Sequence, residues 1–235
     1  VSGAAPELVV FPDLEALSRD AAARVLGAAR EAIAARKRFS LVLSGGKTPR
    51  RLYELLAASD LPWEQTHVFW GDERCVPRDD AASNYRLARE SLLSRISIPS
   101  ANVHPMPCDP ENVSAGAAAY DAELRGFFRG SEAAFDLVLL GLGADGHTAS
   151  LFPGEKTLEE RVRWVLPTLG LHATPPVPRL TLTLPALGAA RFALLLAAGP
   201  DKKPFVDAAA RGDSSFPAGR VRPRNGACWL WAQAG

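Results

Sequence analysis

The 235-residue chain is 47% hydrophobic and 23% charged, a globular balance that excludes disordered, collagen-like and coiled-coil classes. Lysine and arginine number 27 against 26 aspartate and glutamate, so no net field gathers nucleic acid or an anionic bilayer, and any anion bound is bound locally. No window reaches the roughly 18 apolar residues that span a bilayer, and Val1 to Pro6 lack the basic start and apolar run of a secretory signal.

The three cysteines, Cys75, Cys108 and Cys228, are odd in number and far apart, with no two at CxxC spacing. They read as unable to form a closed disulfide framework, which points to a reducing compartment. The expectation is a soluble, cytoplasmic protein with no nucleic-acid or membrane partner. The start at Val1 in place of Met reads as trimmed.

Leu8 to Phe11 forms a short apolar run ahead of Pro12 and Asp13, after which Leu14, Leu17, Ala21, Val25, Ala28 and Ala32 recur at steps of three and four. That is a strand, an N-cap and an amphipathic helix. The plan repeats with Phe39 to Leu43 as a strand, Ser44-Gly45-Gly46 as a turn, and Thr48 and Pro49 as N-cap and first position of a helix through Leu52, Leu55 and Leu56. His67 to Trp70 is the next strand. A polar stretch from Gly71 to Asn84 leads to a helix through Tyr85, Leu87, Leu92 and Leu93, and then to a proline-punctuated surface loop from Pro99 to Pro110.

Val113, Ala117, Tyr120, Leu124 and Phe127 keep the helical period, and Phe135 to Leu140 is an almost wholly apolar strand closed by Gly141, Gly143 and Gly146. Val162 to Leu166, Leu180 to Leu184, Phe192 to Ala197 and Ala227 to Trp231 read as further strands, and Lys202 to Ala210 as a helix. Continuous apolar strands alternating with helices predict an α/β fold. Its mostly parallel sheet would be covered on both faces, with right-handed crossovers and binding loops at the carboxyl ends of the strands. No composition break, linker or repeat divides the chain, so residues 1–235 read as one domain.

Chemistry concentrates in three of those loops. Ser44-Gly45-Gly46-Lys47-Thr48-Pro49 joins a buried strand to a helix. Its glycines admit close approach of an anion to the backbone, and the helix offers free N–H groups and its positive dipole end. It is neither a Walker A loop nor a GxGxxG fingerprint, and a tight connection is the plainer alternative. Trp70-Gly71-Asp72-Glu73-Arg74 puts two carboxylates and a guanidinium at the sheet edge. Arg74 there is either a loop ion pair or a bidentate clamp for phosphate.

Gly141 to Ser150 places His147 in a glycine-dense loop two residues after Asp145, which is positioned to orient the ring for proton transfer. The competing role is capping of a helix opened by Thr148. Lys202, where a loop opens a helix, and Arg179, ahead of an alternating strand, are candidate anion contacts or solvated cations. His67, His104 and His172 share no metal-site spacing with His147, and Pro105 and Pro107 keep His104 and Cys108 off one helix face, so no metal is expected. No Gly-x-Ser-x-Gly elbow is present.

These segments occur in a telling order: Ser44-Gly45-Gly46 with Thr48-Pro49, Trp70 to Arg74, Ser83-Asn84-Tyr85, Gly141 to Pro153, Arg179 to Pro185, and Gly199 to Lys202. In that order the chain resembles the glucosamine-6-phosphate isomerase/6-phosphogluconolactonase family over nearly its whole length, the stretch around His147 being the most specific part. The resemblance implies a three-layer α/β/α, modified Rossmann-like fold shared with glucosamine-6-phosphate deaminase and ribose-5-phosphate isomerase. It also implies hydrolysis of 6-phospho-D-glucono-1,5-lactone to 6-phospho-D-gluconate in the oxidative pentose phosphate pathway, with no required cofactor.

Carried over by position, His147 matches the family's general base and Asp145 its companion. Arg74 and Lys202 match phosphate-associated residues, and Ser44, Gly45, Gly46 and Thr48 line the sugar-phosphate pocket. Asp72 joins them as a substrate-binding carboxylate, and Arg179 matches a recurrent arginine. Lys47 departs from the family, which more often has a small hydroxyl residue there. A glucosamine-6-phosphate deaminase shares the glycine loop and the Asp-Gly-His segment. Arg74 after Asp72-Glu73, and Ser150-Leu151-Phe152-Pro153, favour the lactonase. A non-catalytic sugar-phosphate sensor would need a DNA-binding helix-turn-helix for which the chain has no spare length. The expected assembly is a monomer or weak dimer.

Overall fold

The computed structural model describes residues 6–130, 132–171 and 173–234. Its first strand, β1 (Glu7–Phe11), is followed by helix α1 (Leu14–Arg36), whose N-cap Asp13 accepts from the Ala16 amide at 2.8 Å. The helix ends where Lys37 turns into the left-handed region at φ 61°. Next come β2 (Phe39–Leu43), buried at every position, and α2 (Pro49–Ala57), which packs on α1. Pro49 opens α2 as the sequence predicts, but Thr48 makes no side-chain cap because its own backbone is already helical.

β3 (Thr66–Trp70) precedes a three-residue strand, β4 (Asp72–Arg74), and then α3 (Asn84–Ser91), capped by the Ser83 side chain. The expected surface loop from Pro99 contains β5 (Val103–His104) and the buried Met106. α4 (Val113–Phe128) leads to β6 (Leu137–Gly141), then β7 (Val165–Thr168) and β8 (Arg179–Leu182). A short helix α5 (Leu184–Ala189), β9 (Phe192–Ala198), α6 (Lys203–Ala210) and β10 (Ala227–Ala232) complete the chain.

Seven strands form one wholly parallel sheet in the order β1-β10-β9-β6-β2-β3-β5. Helices cover both faces, so the strands are largely apolar rather than alternating. From β2 the chain proceeds outward through β3 to β5, then returns to lay β6 on the other side of β2 and continues to β9 and β10. The direction of travel therefore reverses between β2 and β6, and the loops leaving their carboxyl ends part there, the position at which open α/β sheets bind ligands.

Two expectations need correction. The Gly71–Asn84 stretch is not all loop, because β4, β8 and β7 form a separate antiparallel sheet in that order, with Arg74 paired to Arg179 and Asp72 to Thr181. And Cys75, one residue past β4, forms a disulfide with Cys108, their Cα atoms 4.7 Å apart. An odd count forbids only complete pairing, and the fold leaves Cys228 as the free, buried thiol. The inference of a reducing compartment loses that support. Among the described residues no helix is long and apolar enough to cross a membrane.

On the outer side of the sheet, His67 Nδ1 lies 3.1 Å from His104 Nε2, and His104 Nδ1 lies 2.7 Å from Glu123 on α4, within a cluster of Phe69, Phe127 and Phe135. Burial, then the neighbouring His104 and Arg38, push the His67 imidazole down to about 4. The unfolded chain binds this proton near pH 6.5 and the native protein does not, so stability falls as pH drops from about 6.5 towards 4. His67→Gln should flatten that part of the stability–pH curve in urea titrations.

The fold also anchors the glycine loop. The buried Tyr53 hydroxyl of α2 accepts from the Ser44 amide at 2.8 Å and donates to the Ser44 carbonyl at 2.6 Å. Tyr53→Phe should cost about 1 kcal/mol in chemical denaturation, since both backbone groups lose a partner.

Candidate active site

A cavity of about 210 Å3 opens at the reversal point, lined by Ser44, Gly45, Gly46, Lys47, Thr48, Asp72, Arg74, Gly141, Leu142, Gly143, His147, Ala149 and Arg179. Eight of the ten sequence-predicted residues thus meet there: Ser44, Gly45, Gly46, Thr48, Asp72, Arg74, His147 and Arg179. Asp145 stands behind His147. Lys202 is set apart: its ammonium pairs with Asp201 at 2.7 Å and it is not among the lining side chains. His172 lies outside the described residues.

The first wall is the turn after β2. Gly46 takes φ +88°, and a Cβ on Gly45 would overlap the Asn84 amide. The first turn of α2, with no side-chain cap, leaves backbone N–H groups for an anion. The second wall is the loop after β6. The Gly143 amide donates to the His147 carbonyl at 2.8 Å, and the Thr148 hydroxyl donates to the Gly141 carbonyl at 2.8 Å. No helix follows; Thr148 instead bridges to Leu151, which removes the capping role as an account of His147.

The Asp145 carboxylate accepts from the His147 amide at 3.0 Å and lies 2.6 Å from its Nδ1. An ionised carboxylate accepts only, so Nδ1 carries the proton in this arrangement and Nε2 keeps its lone pair. Partial burial works to raise the Asp145 carboxyl, but the hydrogen bonds from the His147 amide and ring outweigh it, and the net shift is downward. The ring packs against Phe152 with centroids 4.7 Å apart and remains 30% exposed, facing the cavity rather than sealed in the core.

The third wall comes from the small sheet. Arg74 and Arg179 sit directly opposite each other across β4 and β8. Arg179 is only 2% exposed, and its Nε and that of Arg74 are buried without a hydrogen-bond partner. Burial, then repulsion from Arg74, lowers the Arg179 guanidinium from its ordinary value, against the pull of Asp72 and Glu73. Two adjacent cations with unmet donors are an anion site in waiting.

Two residues that the sequence alone does not mark as site residues hold this wall. Asn84 Nδ2 donates to the Asp72 carbonyl at 2.9 Å and carboxylate at 3.1 Å, and the Ser150 hydroxyl donates to the other Asp72 oxygen at 2.6 Å. Glu73 points away, accepting from the amides of Asn84 and Tyr85, each at 2.7 Å, at the start of α3. Burial raises its carboxyl in spite of those amides. A larger cavity of about 520 Å3 at the other end of the strands is lined by Arg36 and Arg191, which share Asp136, and by no imidazole.

The model of the family described as glucosamine-6-phosphate isomerases/6-phosphogluconolactonase matches residues 12–231. The 6-phosphogluconolactonase of a Synechocystis species is 41% identical, over 97% of this chain and 96% of the relative, and that of a Nostoc species 40% identical, over 94% and 93%. The crystal structure of 6-phosphogluconolactonase from Thermotoga maritima superposes with a TM-score of 0.87 at 31% identity, covering 97% of this chain and 100% of that one. Fold and cavity together fit a sugar-phosphate enzyme of the α/β class whose candidate site opens at a reversal point in a parallel sheet. The chain belongs to the glucosamine-6-phosphate isomerase/6-phosphogluconolactonase family.

A Cβ on Gly143 would collide with the His147 ring. Gly143→Ala should therefore cut turnover by at least about tenfold while shifting the melting temperature little, measured by steady-state kinetics beside calorimetry.

Proposed function

We propose that this protein hydrolyses 6-phosphoglucono-δ-lactone to 6-phosphogluconate, with His147 as general base. The observation that carries the reading is the His147–Asp145 pair facing a cavity whose far wall is the Arg74–Arg179 couple. The Synechocystis, Nostoc and Thermotoga relatives, each a 6-phosphogluconolactonase by name, support the substrate.

His147 Nε2 takes a proton from water as its oxygen adds to the lactone carbonyl, and Asp145 stabilises the imidazolium that forms. The tetrahedral oxyanion is met by backbone N–H groups of a glycine loop. Collapse breaks the bond between the carbonyl carbon and the ring oxygen, which leaves with the proton held on His147. The product carboxyl group then ionises to water. The phosphate sits on Arg74, Arg179 and the first turn of α2, remote from the carbonyl, so its binding energy orients the ring. Lys202 would join the phosphate only by leaving Asp201.

A charged substrate that does not cross membranes unaided supports the reading of a cytoplasmic enzyme.

His147→Ala should lower kcat by roughly 10²–10⁴-fold with a modest change in KM, whereas Arg74→Ala should chiefly raise KM. The assay follows lactone loss under conditions that suppress its spontaneous hydrolysis. Unchanged kcat in His147→Ala, or ammonia release from glucosamine 6-phosphate at a comparable rate, would overturn the reading.

A further inference from the structure

Beside the catalytic cavity lies a second one, of about 350 Å3, whose lining includes Lys47, Arg50, Arg74, Ser83, Arg86 and Glu90. It shares Gly46, Lys47 and Arg74 with the catalytic cavity, so these residues form a common ridge. Four cations face a single carboxylate. Glu90 is held by Arg86 Nε at 2.7 Å and lies only loosely from Arg50, at 3.8 Å. Arg86 and Arg74 otherwise donate to neutral carbonyls, of Asp79 and Ala82, each at 2.7 Å. Among the described residues Lys47 has no carboxylate within ion-pair distance, and Arg74 Nε has no hydrogen-bond partner.

Such a surplus of cations lies in a concave surface rather than along a flat face. We propose that this outer cavity is a second anion subsite, distinct from the catalytic one, which takes a phosphate-bearing small anion. Lys47 and Arg50 contribute charge from the start of α2, and Arg86 adds a planar donor pair from α3. An anion there draws on the Arg74 guanidinium that the catalytic cavity also uses and places negative charge next to the substrate phosphate. Its occupancy therefore weakens substrate binding without touching His147. That last consequence rests on the function proposed above; the subsite itself does not.

The experiment is calorimetric titration of the ligand-free protein with inorganic pyrophosphate, in the absence of divalent metal. Wild type is compared with Arg50→Gln/Arg86→Gln, with Lys47→Gln and with His147→Ala. The expected results are binding to wild type and to His147→Ala alike, weakened at least about tenfold in the arginine double variant and severalfold in Lys47→Gln. Lys47 is exposed and outside the core, so its variant keeps the test open should the double variant fold poorly.

In kinetics, pyrophosphate should raise the KM for lactone in wild type and lose that effect in Arg50→Gln/Arg86→Gln. No binding, or equal affinity in wild type, Lys47→Gln and the double variant, overturns the proposal. Equal weakening of 6-phosphogluconate and pyrophosphate by the double variant overturns it too, because the cavity would then belong to the substrate site. Absence of lactonase activity with the binding pattern intact would instead sink the proposed function and leave the subsite standing.

Discussion

Everything in the catalytic region depends on the parting of two neighbouring strands. β2 and β6 lie side by side and parallel, both buried and apolar but for Ser40, whose hydroxyl is taken up by Asp136 at the far end from the cavity. What they deliver is direction: two chain exits at one level, one feeding the Ser44–Thr48 turn and the other the Gly141–His147 loop. Because the connections run to opposite sides, the gap between the loops cannot be closed by the sheet's own backbone. Glycine at positions 45 and 143 is then a packing requirement, since a side chain at either would displace Asn84 or His147.

The other constraint is electrostatic. Placing Arg74 across from Arg179 on adjacent strands sets like charges side by side, an arrangement that costs stability in an empty protein. The surroundings offset it without cancelling it. Asp72 lies within the same network through Ser150, whose hydroxyl is 3.5 Å from Arg179 Nη1, and the Pro175 carbonyl accepts from Nη2 at 3.0 Å. Both Nε groups stay unmet. The protein thus keeps its donors oriented before an anion arrives, which lowers the reorganisation needed when one does. Glu73, adjacent in sequence, is spent on the α3 amides instead, so the Asp-Glu pair divides into one site carboxylate and one structural one.

How much of this could be read from the chain follows from the range of the forces involved. β2 was legible to the residue, since a five-residue run with four apolar positions, bounded by a glycine turn, has one economical reading. The loop residues were legible because glycine density after a buried strand has few causes other than close approach. β4 was not, being three charged residues whose strand character arises only from pairing with β8, about a hundred positions later. Asn84 and Ser150 lie in the Ser83-Asn84-Tyr85 and Ser150–Pro153 segments that carry the resemblance, but their action through Asp72 shows only in the fold. The Cys75–Cys108 link was hidden for the same reason: separated by 33 positions, the two meet only once β4 and the segment after β5 are in place. Lys202 shows the converse, a residue matched by motif that the fold holds on Asp201 and outside the cavity lining.

Arg74 is where these threads cross. It ends β4, faces Arg179, and walls both cavities, while its Nη1 is tethered to the Ala82 carbonyl by a hydrogen bond that adds no countercharge. A guanidinium presents its donors in a rigid plane and spreads one positive charge over them, so two anions that share it compete for field even when they do not touch. Within a screening length of about 8 Å at physiological ionic strength that competition is not lost to solvent. Any free energy by which an outer anion weakens the substrate must equal that by which the substrate weakens the outer anion. A single side chain at the junction therefore suffices to couple the two cavities, and the fold needs no moving part to do it.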